Sequence, residues 1–193
     1  MDTDVIYPPN RCPPRRTGGL TLIELLAVIA TASILLGMAA PSFSVLVQNS
    51  RMSGEMNRLA GHLNFARSEA IKSGTTVIVC KSLDGSNCTT AGEWTQGWII
   101  FADSINNRTR DESEPVLAVQ QALGQGSSID YGGFPTANYV LYHPIGTSLG
   151  NGTFIFCDSR GGGSAKALVL ARTGRLRNAR TLPDGNALSC PTG

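Results

Sequence analysis

The sequence predicts an α+β protein, with one long N-terminal helix packed on a small antiparallel β domain. Three observations carry this. Leu20 to Phe43 is a run of 24 residues whose single charge is Glu24. Met52, Met56, Leu59, Leu63, Ala66 and Ala70 then recur at steps of three and four, which is one face of an α-helix. After Gly74 the apolar residues fall into seven short β-rich segments separated by Gly, Asn and Pro, with no second helical pattern.

Residues 1–19 are polar and Pro-rich and carry Arg11, Arg15 and Arg16. The apolar run, residues 20–43, is long enough to cross a hydrocarbon core of about 30 Å as a helix. The basic flank predicts a cytoplasmic N-terminus. A cleavable secretory signal is the rival reading. Its apolar region would be about 7–15 residues, and it would leave Glu24 unexplained. A carboxylate within a span costs on the order of 2.5–3.5 kcal/mol, so Glu24 either meets a cation or snorkels to the interface. The Met52–Ala70 stripe continues the helix beyond the membrane. Lys72 in the last turn and Gly74 behind it mark its end. One helix over residues 20–73 would span roughly 80 Å, with Pro41 kinking or loosening it.

The remaining chain, 74–193, is the β domain. Its expected strands are Thr75–Lys81, Trp98–Asp103, Pro115–Gln121, Ser127–Gly132, Asn138–His143, Gly152–Asp158 and Lys166–Arg172. One sheet face would cover the apolar stripe of the helix. Cys12 precedes the apolar run, and Cys80, Cys88, Cys157 and Cys190 follow it. In an oxidising compartment those four can form two disulfides with three possible connectivities. Cys80 and Cys88 flank the turn formers Gly85, Ser86 and Asn87 and are the easiest pair to close, which leaves Cys157 with Cys190. Zinc is the competing use, but no Cys-x-x-Cys occurs and His62 and His143 stand far apart.

Formal net charge is only +2, so no global field announces a partner. The distribution is uneven. Arg160, Lys166, Arg172, Arg175, Arg177 and Arg180 lie between Asp158 and Asp184 with no acid among them, whereas Glu93 to Asp130 is predominantly acidic. Trp94 and Trp98 read as core residues, and His143 as structural or exposed. Ser159–Lys166 is Gly-rich but lacks the setting and the ending of a phosphate loop; it reads as a flexible loop adding Arg160 and Lys166 to the basic face. No nucleophile elbow or metal cluster is present, so the sequence predicts neither an enzyme nor a cofactor.

The stretch "GGLTLIELLAVIATASILLGMAAPSF", behind basic residues, resembles the prepilin signature of type IV pilins and pseudopilins. "LNFARSEAIKSG", "GEWTQGWIIFAD" and "ARTGRLR" extend the resemblance to the GspH/FimT family of minor pilins and pseudopilins. The implied fold is a helix packed on a β-sandwich-like domain. The resemblance implies cleavage between Gly19 and Leu20 by prepilin peptidase, N-methylation of Leu20, an assembly role for Glu24 opposite a neighbour's free amine, and other pilins as partners. It also implies an inner-membrane location before the pilus or pseudopilus, with the β domain periplasmic. Two departures stand out: Leu20 occupies a position that is most often Phe, and the 19-residue leader is long. Cys12 would leave with that leader.

Within the family, FimT-like members serve type IV pili and some take part in DNA uptake, whereas GspH-like members serve type II secretion. "RTGRLRNAR" resembles a Gly-Arg-x-Arg motif associated with DNA binding. Gly174, Arg175 and Arg177 match it, and Arg172 and Arg180 can add to the patch if the tail folds back. In an extended chain Arg175 and Arg177 point the same way, and guanidinium forks suit phosphate oxygens. The tail holds no aromatic residue for stacking, so single-strand base readout is not expected. Two blander readings compete. One is a solvated basic turn at a hairpin end. The other is pairing of these arginines with the acidic loop Asp111–Glu114 of the same or a neighbouring subunit.

Overall fold

The computed structural model describes residues 19–124 and 126–190, without the side chains of 38–42. The leader expected over residues 1–19 therefore lies, except for Gly19, outside the described residues, as does Cys12. The chain divides into two units, Met1–Ser44 and Val45–Gly193.

Helix α1 (Leu22–Ser73) begins in the first unit and ends in the second. Thr21 caps it: the Glu24 N–H donates to Thr21 Oγ1 at 3.3 Å, and the Leu25 N–H to the Thr21 carbonyl at 3.1 Å. The backbone is helical through Pro41. In the first unit the described apolar side chains face outward, among them Leu22, Ile23, Leu35 and Leu36. Among the described residues no helix is long and apolar enough to cross a membrane; the expected span of 20–43 includes 38–42. At its other end α1 stops where expected, with Gly74 in the left-handed region at φ +66°.

Eight strands follow in the second unit: β1 (Thr76–Lys81), β2 (Gly97–Asp103), β3 (Val116–Gln121), β4 (Ser127–Phe134), β5 (Tyr139–Tyr142), β6 (Asn151–Asp158), β7 (Lys166–Leu170) and β8 (Leu176–Ala179). They form two four-stranded sheets, ordered β3-β2-β1-β5 and β4-β6-β7-β8, and every strand pairing is antiparallel. Seven strands stand where the sequence pattern puts them. β8 is the addition. It carries only Leu176 and Ala179 as apolar residues, so no alternation marks it, and the sequence reads there as a basic tail.

The helix stripe is covered by both sheets, not by one sheet face as expected. Met52, Met56, Leu59, Leu63, Ala66 and Ala70 share one buried cluster with Val77, Val79, Trp98, Ile100, Val140 and Tyr142 of the first sheet. Ile129, Tyr131, Phe154, Phe156, Leu168 and Leu170 of the second sheet complete it. Each side chain of that size contributes about 1.5–3 kcal/mol on full burial. The opposite face of the first sheet buries Ile78, Cys80, Ile99, Phe101 and Leu141. That of the second buries Ile155, Cys157 and Ala167 beneath Leu182, Leu188 and Cys190 of the C-terminal tail. The disulfides are Cys80–Cys88 and Cys157–Cys190. The second closes the tail over its sheet.

Candidate functional site

The arginine segment is the β7–β8 hairpin. A tight turn joins the strands: Gly174 N–H donates to the Ala171 carbonyl at 2.8 Å, and Ala171 N–H to the Arg175 carbonyl at 3.0 Å. Gly174 sits at φ +77°, and a Cβ there would lie 2.2 Å from the Gly146 carbonyl oxygen. Glycine is therefore required on two counts, the left-handed backbone and the close approach of a neighbouring turn. Arg67 of α1 locks the two turns together, donating from Nε to the Gly146 carbonyl at 2.7 Å and from Nη2 to the Thr173 carbonyl at 3.2 Å. Ser148 N–H adds a bond to the Arg172 carbonyl at 2.9 Å. Sequence reasoning missed Arg67, because a guanidinium on a helix gives no sign of which loops will reach it.

The turn divides the predicted arginines. Arg175 and Arg177 lie on one face of the hairpin and line a groove of about 220 Å³ with Val169, Ala171, Thr173 and Leu176. Arg180 lines a different groove, of about 330 Å³, with Met56, Lys166, Asn178 and Ala179. Arg172 is exposed in the turn and lines neither. Among the described residues, none of these four side chains makes an ion pair. The Gly-rich loop divides likewise. Lys166 Nζ reaches Ser53 Oγ on α1 at 2.6 Å and stands beside Arg180. Arg160 is occupied by Asp158 at 3.0 Å and by Asn49 at 2.9 Å, and hydrogen bonding by its guanidinium lowers the Asp158 pKa.

In the acidic loop Glu112 is exposed, whereas Glu114 is bound up with the loop's own backbone. Glu114 is 1% exposed and accepts N–H bonds from Ser104 at 2.7 Å, Ile105 at 3.4 Å and Asp111 at 3.2 Å. Burial pushes its carboxyl up, but those donors outweigh it and hold the pKa below the ordinary value. Glu114 is thus the anchor of its own loop and is not open to an arginine of the hairpin.

Trp94 and Trp98 are core residues, as expected. Trp94 Nε1 donates to the Ala137 carbonyl at 3.1 Å, and Trp98 Nε1 to His62 Nδ1 at 2.9 Å. The second bond requires a neutral His62 with its proton on Nε2. Burial, then the nearby Arg58, lowers the His62 pKa. His143 is half-buried at the turn that Arg67 holds. Gly19 and Leu20 are exposed ahead of the helix, and Glu24 is exposed in its first turn.

The sequence model of the family described as "Type II transport protein GspH" matches residues 55–174. The chain belongs to the GspH family. That family comprises minor pilins and pseudopilins of the type IV pilus or type II secretion kind. The chain is 29% identical over 175 residues to the pilin-like protein PilA1 of Thermus thermophilus, covering 82% of this chain and 96% of that protein. Its fold is similar to the crystal structure of the type IV minor pilin FimU of Pseudomonas aeruginosa. That likeness has a TM-score of 0.54 at 17% identity and covers 75% of this chain and 98% of the other. GspH-family membership implies interaction with other pilins or pseudopilins, and family and fold are those of structural pilins. The matched region runs from Glu55 to Gly174. The opening motif around Glu24 and the arginines from Arg175 onward lie outside it.

Proposed function

We propose that this GspH-family chain is a FimT-like minor type IV pilin whose β7–β8 hairpin binds DNA during DNA uptake. In this reading prepilin peptidase cuts between Gly19 and Leu20, and Leu20 is N-methylated. Residues 20–43 hold the subunit in the inner membrane, N-terminus inside and β domain in the periplasm, until it joins the pilus. Glu24 then meets a neighbour's amine, a cation that offsets the cost of a carboxylate in lipid.

One observation carries the DNA reading: Arg175 and Arg177 share a groove, and among the described residues neither forms an ion pair. They are held on a turn that Gly174 and Arg67 fix to the helix. Phosphate contacts by two to four arginines give sequence-independent binding in the range of about 10⁻⁴–10⁻⁶ M. The log–log salt slope is about −0.9 per phosphate neutralised. The test is fluorescence anisotropy of a labelled duplex with the full-length chain in a neutral detergent, at two salt concentrations. Expected is salt-weakened binding that Arg175→Ala/Arg177→Ala removes. No salt-dependent binding at low ionic strength overturns the reading. A purely structural pseudopilin of type II secretion is the second reading, favoured by the family's description and by a match that stops at Gly174.

A further inference from the structure

The outer face of the second sheet carries one large apolar side chain that the core does not use. Phe134, the last residue of β4, is 74% exposed. Alternation along β4 turns Ile129 and Tyr131 into the shared core and leaves Asp130, Gly132 and Phe134 on the other side. The registers then place Phe134 beside Asn151 of β6, and the same row continues through Ala171 to Arg175 across the hairpin turn. The neighbouring row runs Gly132, Thr153, Val169, Arg177. Phe134 and the two groove arginines thus stand at opposite margins of one sheet face, three strand spacings or roughly 14 Å apart.

Three further facts shape this face. The C-terminal tail covers the other half, over Ile155, Cys157 and Ala167. Space is open where a Cβ on Gly132 would point, so bare backbone flanks the exposed ring. Asp130, the acid on this face of β4, lies one row beyond, level with Ile155. Thr153 and Val169 of the neighbouring row are buried, so the exposed path between ring and arginines is the row through Asn151 and Ala171. A ring and two guanidinium groups joined by such a path are the two parts of a single-strand binding surface, a stacking platform and a cationic track.

Resting on the DNA reading above, we infer that this face takes single-stranded DNA, with a base stacked on Phe134 beside Gly132 and the backbone running to Arg175 and Arg177. The lack of aromatic residues that argues against single-strand readout is a property of the tail alone. The tail itself has no aromatic residue, but the sheet brings one from 41 positions upstream.

The test compares a labelled oligothymidine with a labelled duplex, using the full-length chain in neutral detergent at low salt. Wild type should hold the oligothymidine more tightly than the duplex. Phe134→Ala should weaken the oligothymidine about 5- to 140-fold, the loss expected of one stacked base, and leave the duplex unchanged. Phe134→Trp should restore binding, and Gly132→Leu should weaken it by filling the space beside the ring. Arg175→Ala/Arg177→Ala should weaken both ligands. If Phe134→Ala leaves oligothymidine binding unchanged while the double arginine variant loses it, the stacking inference falls and the DNA reading stands. If neither ligand binds wild type, both fall. Because Phe134 is exposed, an unchanged melting temperature in Phe134→Ala excludes unfolding as the cause of any loss.

Discussion

Glu24 occupies the third position of α1, and its own N–H is bonded to Thr21 Oγ1. A carboxylate in the first helical turn is favoured by the helix dipole, and Thr-x-x-Glu is the sequence form of a capping box. Local helix physics therefore already selects a Glu at this position, before any neighbour is invoked. Thr21→Ala should cost about 0.5–2 kcal/mol of helix stability, read as fraying of residues 21–25 in amide exchange. His62 makes the pH-dependent prediction. Its folded pKa lies below the ordinary value near 6.5, so as pH falls the unfolded chain takes up the proton first. The stability it contributes is fully present above about pH 6.5 and is lost below it. Melting temperature should fall between pH 7.5 and 5 together with a change in Trp98 emission, and His62→Gln should flatten that component. Gly174→Ala is the severe single change. The left-handed backbone costs about 1–2 kcal/mol, and displacement of the Gly146 turn adds to it. The melting temperature should drop by at least several degrees.

At the scale of elements, the hairpin depends on a helix far away in sequence. Arg67→Ala removes two charge-assisted bonds to the Gly146 and Thr173 carbonyls, together worth about 3 kcal/mol or more. Amide exchange should accelerate in residues 143–148 and 171–175 while the central strands stay protected. Arg67→Lys should not restore protection, since one ammonium cannot reproduce the fork. The helix was legible because its stripe repeats over five turns, and seven strands were legible because β-branched and aromatic residues cluster in them. β8 was not, because an edge strand with one solvated face needs few apolar residues. For the same reason the grouping of Arg175 with Arg177 could be read from strand alternation, whereas the separation of Arg180 could not. It depends on where Met56 and Lys166 meet the strand. The Phe134 row was equally hidden, since only the strand order β4-β6-β7-β8 brings it level with the arginines.

At the scale of the molecule, one cluster joins α1 and both sheets, so the second unit should unfold as a single cooperative body. Leu63 is fully buried within that cluster. Leu63→Ala should cost about 2–5 kcal/mol and lower one common transition in far-UV and near-UV circular dichroism. The disulfides should differ in weight. By loop entropy, opening Cys157–Cys190, with a separation of 33, costs about 3–4 kcal/mol, against about 2.5 kcal/mol for the shorter Cys80–Cys88 loop; paired Cys→Ala variants compared by thermal melting check the order. The longer bond also bears on tension. Arg175 and Arg177 lie inside the covalent ring that it closes. A pull applied to Arg175 strong enough to strip β8 from β7 can extend no further than the shorter arm of that ring, from Arg175 to Cys190, roughly 50 Å when fully extended. Beyond that the force passes through sulfur into β6, a central strand bonded on both sides. The hairpin can therefore yield like a short elastic tether and still not be torn from its sheet.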